Sequence, residues 1–270
     1  MSKRRSYYIS WIPCSLLLIM FLPVLPATAE ERTIWEIGKF DQSSVEFNSD
    51  LSLDSNSNPI FIVGHSTPAK DWPALQPGSA YREAGGRPRP YTIQFTLDAA
   101  PQGAYRLTIS VLLYRSRVPN LQVEINGHPG LFYFNRRLSY YPGDFGVDSP
   151  IYGGDQLEIT LPTVFLRAGE NKLVLTAMDD PKDGEGESLL AYDALRLTED
   201  RDAKPVLAPQ VAAEPTVLYT KTDGQLRELT YITVTLNERV RQGEVALTVG
   251  NERSQGQLST GADFGQQQFD

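Results

Sequence analysis

An all-β fold is predicted by two features of the sequence. Eight short runs alternate apolar and polar residues at period two, and turn-forming residues separate them with no amphipathic helix between. Alternation at period two gives a strand one buried and one wet face, so the expected architecture is an antiparallel β-sandwich.

The runs follow in order. Thr33-Ile-Trp-Glu-Ile37 comes first, with Trp35 read as core, then Ile60-Phe-Ile-Val63 and Tyr91-Thr-Ile-Gln-Phe-Thr-Leu97. Tyr105 to Tyr114 is longer, and Leu121-Gln-Val-Glu-Ile125 alternates again. Gln156 to Leu161, Lys172 to Met178 and Leu190 to Leu197 complete the set. Asn126-Gly127 supplies the positive φ angles of a tight hairpin, and Pro101-Gln-Gly103, Ala168-Gly169 and Asp183-Gly184 mark further turns. In Tyr192-Asp-Ala-Leu-Arg-Leu197, strict alternation sets Asp193 on the apolar side with Leu195 and Leu197, where it needs a hydrogen-bond partner or a buried cation.

The organisation divides into four stretches. Residues 1–29 read as a signal peptide: Lys3, Arg4 and Arg5 precede an apolar stretch from Trp11 to Leu25, which closes on Ala27-Thr28-Ala29. Cleavage after Ala29 would leave a secreted or periplasmic protein with no membrane segment; the alternative is a retained anchor, for which the run is short. Residues 32–198 form the main sandwich. Residues 199–215, with Pro205, Pro209 and Pro215 among small residues, have linker chemistry. Residues 216–270 hold too few strands to close a sandwich and are read as an incomplete immunoglobulin-like β domain. The alternative is a small appendage packed on the first unit. Gly265-Gln-Gln-Gln-Phe-Asp270 carries no sign of a closing element.

Composition narrows the partners. The net charge is −8, and it becomes more negative once the three cations of the signal are removed, which disfavours nucleic acid and anionic membrane. The one cysteine, Cys14, lies in the signal, so the mature chain has no disulfide and no thiolate metal site. Two histidines, His65 and His128, without zinc-type spacing, and the lack of a G-x-S-x-G or phosphate-loop motif, give catalysis little support.

A family resemblance spans the first unit. Trp35-Glu-Ile-Gly-Lys-Phe-Asp41 resembles the opening of the C-terminal carbohydrate-binding-like domain of rhamnogalacturonan lyases, polysaccharide lyase family 4. Phe61-Ile-Val-Gly-His-Ser66, Asp71-Trp72-Pro73, Tyr91 to Phe95, Val123-Glu-Ile-Asn-Gly127, Leu166-Arg-Ala-Gly-Glu-Asn171 and Tyr192 to Leu197 continue it in order. The resemblance implies a galactose-binding-like jelly roll. In those lyases, cleavage belongs to a separate domain with its own Lys and His; no segment here matches it, and the module lies N-terminal instead of C-terminal. Lyase activity is therefore not implied. What is implied is an accessory module that binds polysaccharide or oligosaccharide, with further domains in the same parent chain. Two rivals stand beside it: a fragment of a polysaccharide lyase or glycoside hydrolase whose active site lies beyond Asp270, and a non-binding structural or interaction domain.

Sugar rings stack on exposed aromatics while planar polar groups pair with hydroxyls. The richest segment is 131–145, where Tyr140 and Tyr141 are adjacent and Arg136 and Arg137 would grip hydroxyls or a uronate. The competing reading of that segment puts Phe132, Phe134 and one tyrosine in the core and makes the arginines a solvated face. Trp72 is a further binding candidate, although a plug at the end of the sandwich is its stronger reading. His128, at a hairpin tip, is another. The acidic loop 179–187 offers Asp179, Asp180 and Asp183, with Asp193 beside them, as weak candidates for a structural calcium; a solvated hairpin tip is the safer reading.

Overall fold

The structure is a computed structural model, described over residues 31–49, 58–113, 119–134, 153–179, 188–205, 209–237, 243–249, 252–258 and 262–269. Its described residues form fifteen strands: β1 (Arg32–Gly38), β2 (Ile60–Ile62), β3 (Leu75–Pro77), β4 (Pro90–Leu97), β5 (Ala104–Leu113), β6 (Asn120–Ile125), β7 (His128–Tyr133), β8 (Gly153–Leu161), β9 (Gly169–Met178), β10 (Leu189–Asp200), β11 (Gln210–Thr222), β12 (Gln225–Leu236), β13 (Gly243–Val249), β14 (Glu252–Leu258) and β15 (Phe264–Phe269). Among the described residues, helix is confined to single turns such as α1 (Pro68–Asp71).

The chain is an all-β sandwich. One sheet has the order β1-β10-β5-β8, with β3 also paired to β10; the other has the order β11-β12-β15-β7-β6-β9-β4-β2. Sequence neighbours repeatedly fall in opposite sheets, as a jelly roll requires. Pairing is antiparallel except at β2 with β4 and β15 with β7. The facing sides bury the inward set of each alternating run: Ile93 and Phe95 of β4, Leu173 and Leu175 of β9, Leu107 and Ile109 of β5, Leu157 and Ile159 of β8. Trp35, Phe132 and Phe134 belong to this core as expected.

Asn126 (φ 50°) and Gly127 (φ 91°) make the β6–β7 hairpin turn, both in the left-handed region a two-residue turn demands. Asn171 ties that turn to the loop before β9. Its amide donates to the Arg167 and Gly169 carbonyls (2.8 and 3.0 Å), while its Oδ1 accepts from Arg167 N–H and from Asn126 Nδ2 (3.0 and 2.8 Å).

The alternation expected of β10 is broken. The register with β5 shifts between Tyr192 and Ala194, so a bulge at Asp193 brings Tyr192, Leu195 and Leu197 together into the core. Asp193 is thereby turned away from those leucines. Its carboxylate accepts from Ser110 Oγ (2.7 Å), Ser43 N–H (3.0 Å) and Asp41 N–H (3.3 Å) of the loop that crosses the sheet after β1.

The C-terminal stretch also departs from expectation. Strand β11 starts at Gln210, within the segment read as linker, and the glutamine-rich tail forms β15, which adds to β7 in parallel. Phe264 inserts into the main core against Phe132 and Phe165 (centroids 5.7 and 6.0 Å), and Gly130 makes room for its ring, which would lie 2.8 Å from any Cβ there. Asp263 adds its N–H to the Pro129 carbonyl (2.7 Å) and its carboxylate to His128 Nδ1 (2.8 Å). Residues 262–269 are thus packed on the first unit. The β13–β14 pair reaches the same region, with Gln267 Nε2 donating to the Gln257 carbonyl (3.0 Å).

Candidate functional site

The two outward faces of the sandwich differ in chemistry. On the smaller sheet several of the outward groups are paired with one another. Arg106 faces Glu31 and Glu158 (3.4 and 3.7 Å), Arg196 lies 3.6 Å from Glu36 and over the Phe40 ring at 4.6 Å, and Gln156 donates to Glu158 (3.2 Å). Asp193 and Ser110 hold each other, as described above.

The larger sheet presents its outward residues differently. Inward Ile93, Leu173 and Val123 dictate that Thr92 and Gln94 on β4, Lys172, Val174 and Thr176 on β9, and Asn120, Gln122 and Glu124 on β6 point out. Register sets them in rows. Gln94 stands beside Lys172, Thr92 beside Val174 and Glu124, and Thr176 beside Gln122. Asn120 pairs across to Tyr133, and Gln122 to Leu131, on β7. Among the described residues, the side chains of Gln94, Asn120, Gln122, Glu124, Lys172 and Thr176 make no hydrogen bond or ion pair. Thr92, Val174 and Thr176 lie at 7%, 8% and 6% exposure, while Gln94 and Lys172 rise into solvent. The arrangement presents amide, hydroxyl, carboxylate and ammonium groups to whatever lies along β9, with donors and acceptors still available.

Sequence reasoning favoured aromatic residues and so missed this face. The signal was present in the polar positions of the alternating runs 91–97, 121–125 and 172–178. Which outward face stays free of ion pairs depends on long-range pairings that alternation does not encode.

Of the residues expected at a sugar site, Trp72 and His128 lie within the described residues. Trp72 is 0% exposed and meets Phe61, Tyr91 and Tyr192 edge-on at 6.2, 5.5 and 5.4 Å, so it is a plug with no face open to a sugar; its candidacy as a stacking residue is corrected accordingly. His128 is half-exposed, stacked on Phe165 (3.9 Å between centroids, 11° between planes) and held by Asp263. Its ring is engaged in fastening the C-terminal strand. Arg136, Arg137, Tyr140 and Tyr141 lie outside the described residues; the chain enters their segment from Phe134, just past Tyr133.

Of the acidic candidates, Asp179 and Asp193 lie within the described residues. Asp179 accepts from Ala80 N–H (2.5 Å) and donates its own N–H to Ser79 Oγ (3.0 Å), a hydrogen-bond set separate from that of Asp193. Asp180 and Asp183 lie outside the described residues. Among the described residues, no three His, Cys, Asp or Glu side chains form a metal-type cluster.

Comparison with known families decides what this sandwich is. Residues 33–197, more than half of the chain, match the family described as CBM-like, polysaccharide lyase family 4, domain III. The chain belongs to this CBM-like family. The matched span of the CBM-like domain runs from β1 through most of β10, so the smaller sheet and the β7-β6-β9-β4-β2 part of the larger one fall inside it. The C-terminal strands β11 to β15 lie beyond it. No curated protein matches the chain.

Proposed function

We propose that the CBM-like domain binds polysaccharide on the outward face of its larger sheet, as a non-catalytic accessory module of an exported protein. One observation carries the reading: on β4, β9 and β6 the side chains of Gln94, Asn120, Gln122, Glu124, Lys172 and Thr176 have no protein partners among the described residues, whereas Arg106, Arg196 and Gln156 on the opposite face are paired with acidic neighbours. Glycans are recognised by planar amides and hydroxyls that have not been committed elsewhere. The basic, apolar and small-residue segments of 1–29 support export with cleavage after Ala29, and the family supports a parent chain that acts on polysaccharide. In this reading the 131–145 segment, entered from the Tyr133 end of the face, adds Arg136, Arg137, Tyr140 and Tyr141 as further contacts.

Affinity electrophoresis of the chain through gels containing different polysaccharides tests this. At least one glycan retards it. Removing both Gln94 and Gln122 by alanine substitution weakens retention roughly tenfold, as the loss of two ordinary hydrogen bonds predicts, and leaves thermal unfolding in place. Tyr140→Ala and Tyr141→Ala measure the share of the loop. No retardation by any glycan overturns the reading and favours a spacer role.

A further inference from the structure

We infer that the loop of residues 78–89, between β3 and β4, encloses a binding site for a small monovalent anion, held by the guanidinium of Arg89. The sequence first fixes where that side chain goes. Arg89 stands between Pro88 and Pro90, and a residue followed by proline is kept in the extended region. Gln76 Nε2 donates to the Arg89 carbonyl (2.7 Å), which pins the backbone. Two residues before Tyr91, Arg89 points to the same side, and its charge opposes part of the upward push that burial gives the Tyr91 phenol. The residue is only 4% exposed. Its Nη2 donates to the Ala84 carbonyl (2.9 Å), and its buried Nε has no partner. Among the described residues no carboxylate forms an ion pair with it. The two nearest in the loop's surroundings are engaged elsewhere: Glu83 accepts from the Tyr81 hydroxyl (3.1 Å), and Asp179 from Ala80 N–H (2.5 Å).

A guanidinium taken this far out of water is costly unless an opposite charge stands against it. A bound anion supplies that charge. The cover over Arg89 is the single turn Arg82–Ala84, closed by Gly85 and Gly86 at φ 88° and 59°. Their N–H groups donate to the Arg82 and Tyr81 carbonyls (both 2.9 Å), and Ala84 packs with Tyr81 and Leu189. Apolar neighbours of this kind keep water out and strengthen a charge pair. The enclosure sets the size: a side chain 4% exposed leaves room for a halide or a formate and none for a sugar ring. The local charge sets the sign. Residues 82–89 hold three arginines and one glutamate, in a chain whose net charge is −8. The anion fastens the loop to Arg89, and through Gln76 to both sheets. This site is independent of the glycan-binding face, so the failure of one reading leaves the other standing.

The test follows the full chain as sodium chloride replaces sodium gluconate at constant ionic strength, gluconate being too large for the enclosure. The native protein broadens the chloride NMR line, and its Tm rises by about 3–5 °C for each tenfold increase in chloride above Kd. Formate raises Tm in the same way. Arg89→Met and Arg89→Gln remove a buried charge, so both fold, and both lose the broadening and the rise in Tm. Arg87→Gln, in the same loop, keeps them. A second measurement needs no variant: in crystals of the native protein grown in bromide, anomalous diffraction places a bromide against the Arg89 guanidinium. Equal broadening and an equal rise in Tm in Arg89→Met overturn the inference. So does a Tm that responds to gluconate as it does to chloride. Bromide found only away from Arg89, or nowhere, also overturns it.

Discussion

Three buried tyrosines show how single residues hold the two layers together. Tyr192 donates to Gln76 Oε1 (2.5 Å); the amide of Gln76, fully buried on β3, donates across the core to the Leu175 carbonyl of the other sheet (2.9 Å) and to the Arg89 carbonyl (2.7 Å). Tyr91 donates to the Leu75 carbonyl (2.6 Å), and Tyr105 to Glu199 (3.2 Å). Burial raises all three phenols above their ordinary range, with the neighbouring Glu199 adding to the effect at Tyr105. An unfolded tyrosine ionises near pH ~10, so above that value the unfolded chain binds fewer protons than the native one, and stability falls as pH rises. Urea unfolding midpoints therefore decline steadily above about pH 10, and the native ultraviolet titration lacks the ionisation of these three residues until the protein unfolds. A full, reversible phenolate titration of the folded protein would contradict the hydrogen-bonding assigned to Gln76 and Leu75. At this scale the sequence was partly legible. Trp72 and Trp35 were readable as core, because an aromatic in a strand or an Asp-Trp-Pro turn has few other places to go. Asp193 was misplaced by one step, since nothing in its neighbours marks a bulge.

Elements with strong alternation were legible, and elements held by one anchor were not. The runs containing β4, β6 and β9 lie where period two puts them. Strand β11 continues through Pro215, which the sheet tolerates because β11 is an edge strand and its register shifts directly after that proline. Strand β15 reads as a polar tail because Gln266-Gln-Gln268 has no apolar alternation. What makes it a strand is the open edge of β7 and the single buried ring of Phe264, both of them long-range features. Phe264→Ala is accordingly expected to cost about 3–5 kcal/mol in denaturant unfolding, the range for truncating a buried phenylalanine. Gly130→Ala moves stability in the same direction by pushing on that ring. A loss below about 1 kcal/mol for Phe264→Ala would mean that the C-terminal strand is not part of the folded unit.

At the scale of the molecule, one sandwich carries two faces with opposite habits: one closed by its own ion pairs, one left with available amides and hydroxyls. The fold class and the carbohydrate-binding-like family were readable from period and motif order. The face was not, because choosing it needs the pairing of strands far apart in sequence, such as β4 with β9 and β9 with β6. The most direct measurement is a nitrogen–proton correlation titration of the labelled protein with whichever glycan retards it, following the side-chain amide signals. The account predicts that Gln94, Asn120 and Gln122 shift and saturate together while Gln156, on the opposite face, stays in place. Shifts at Gln156 with the first three unmoved would contradict it.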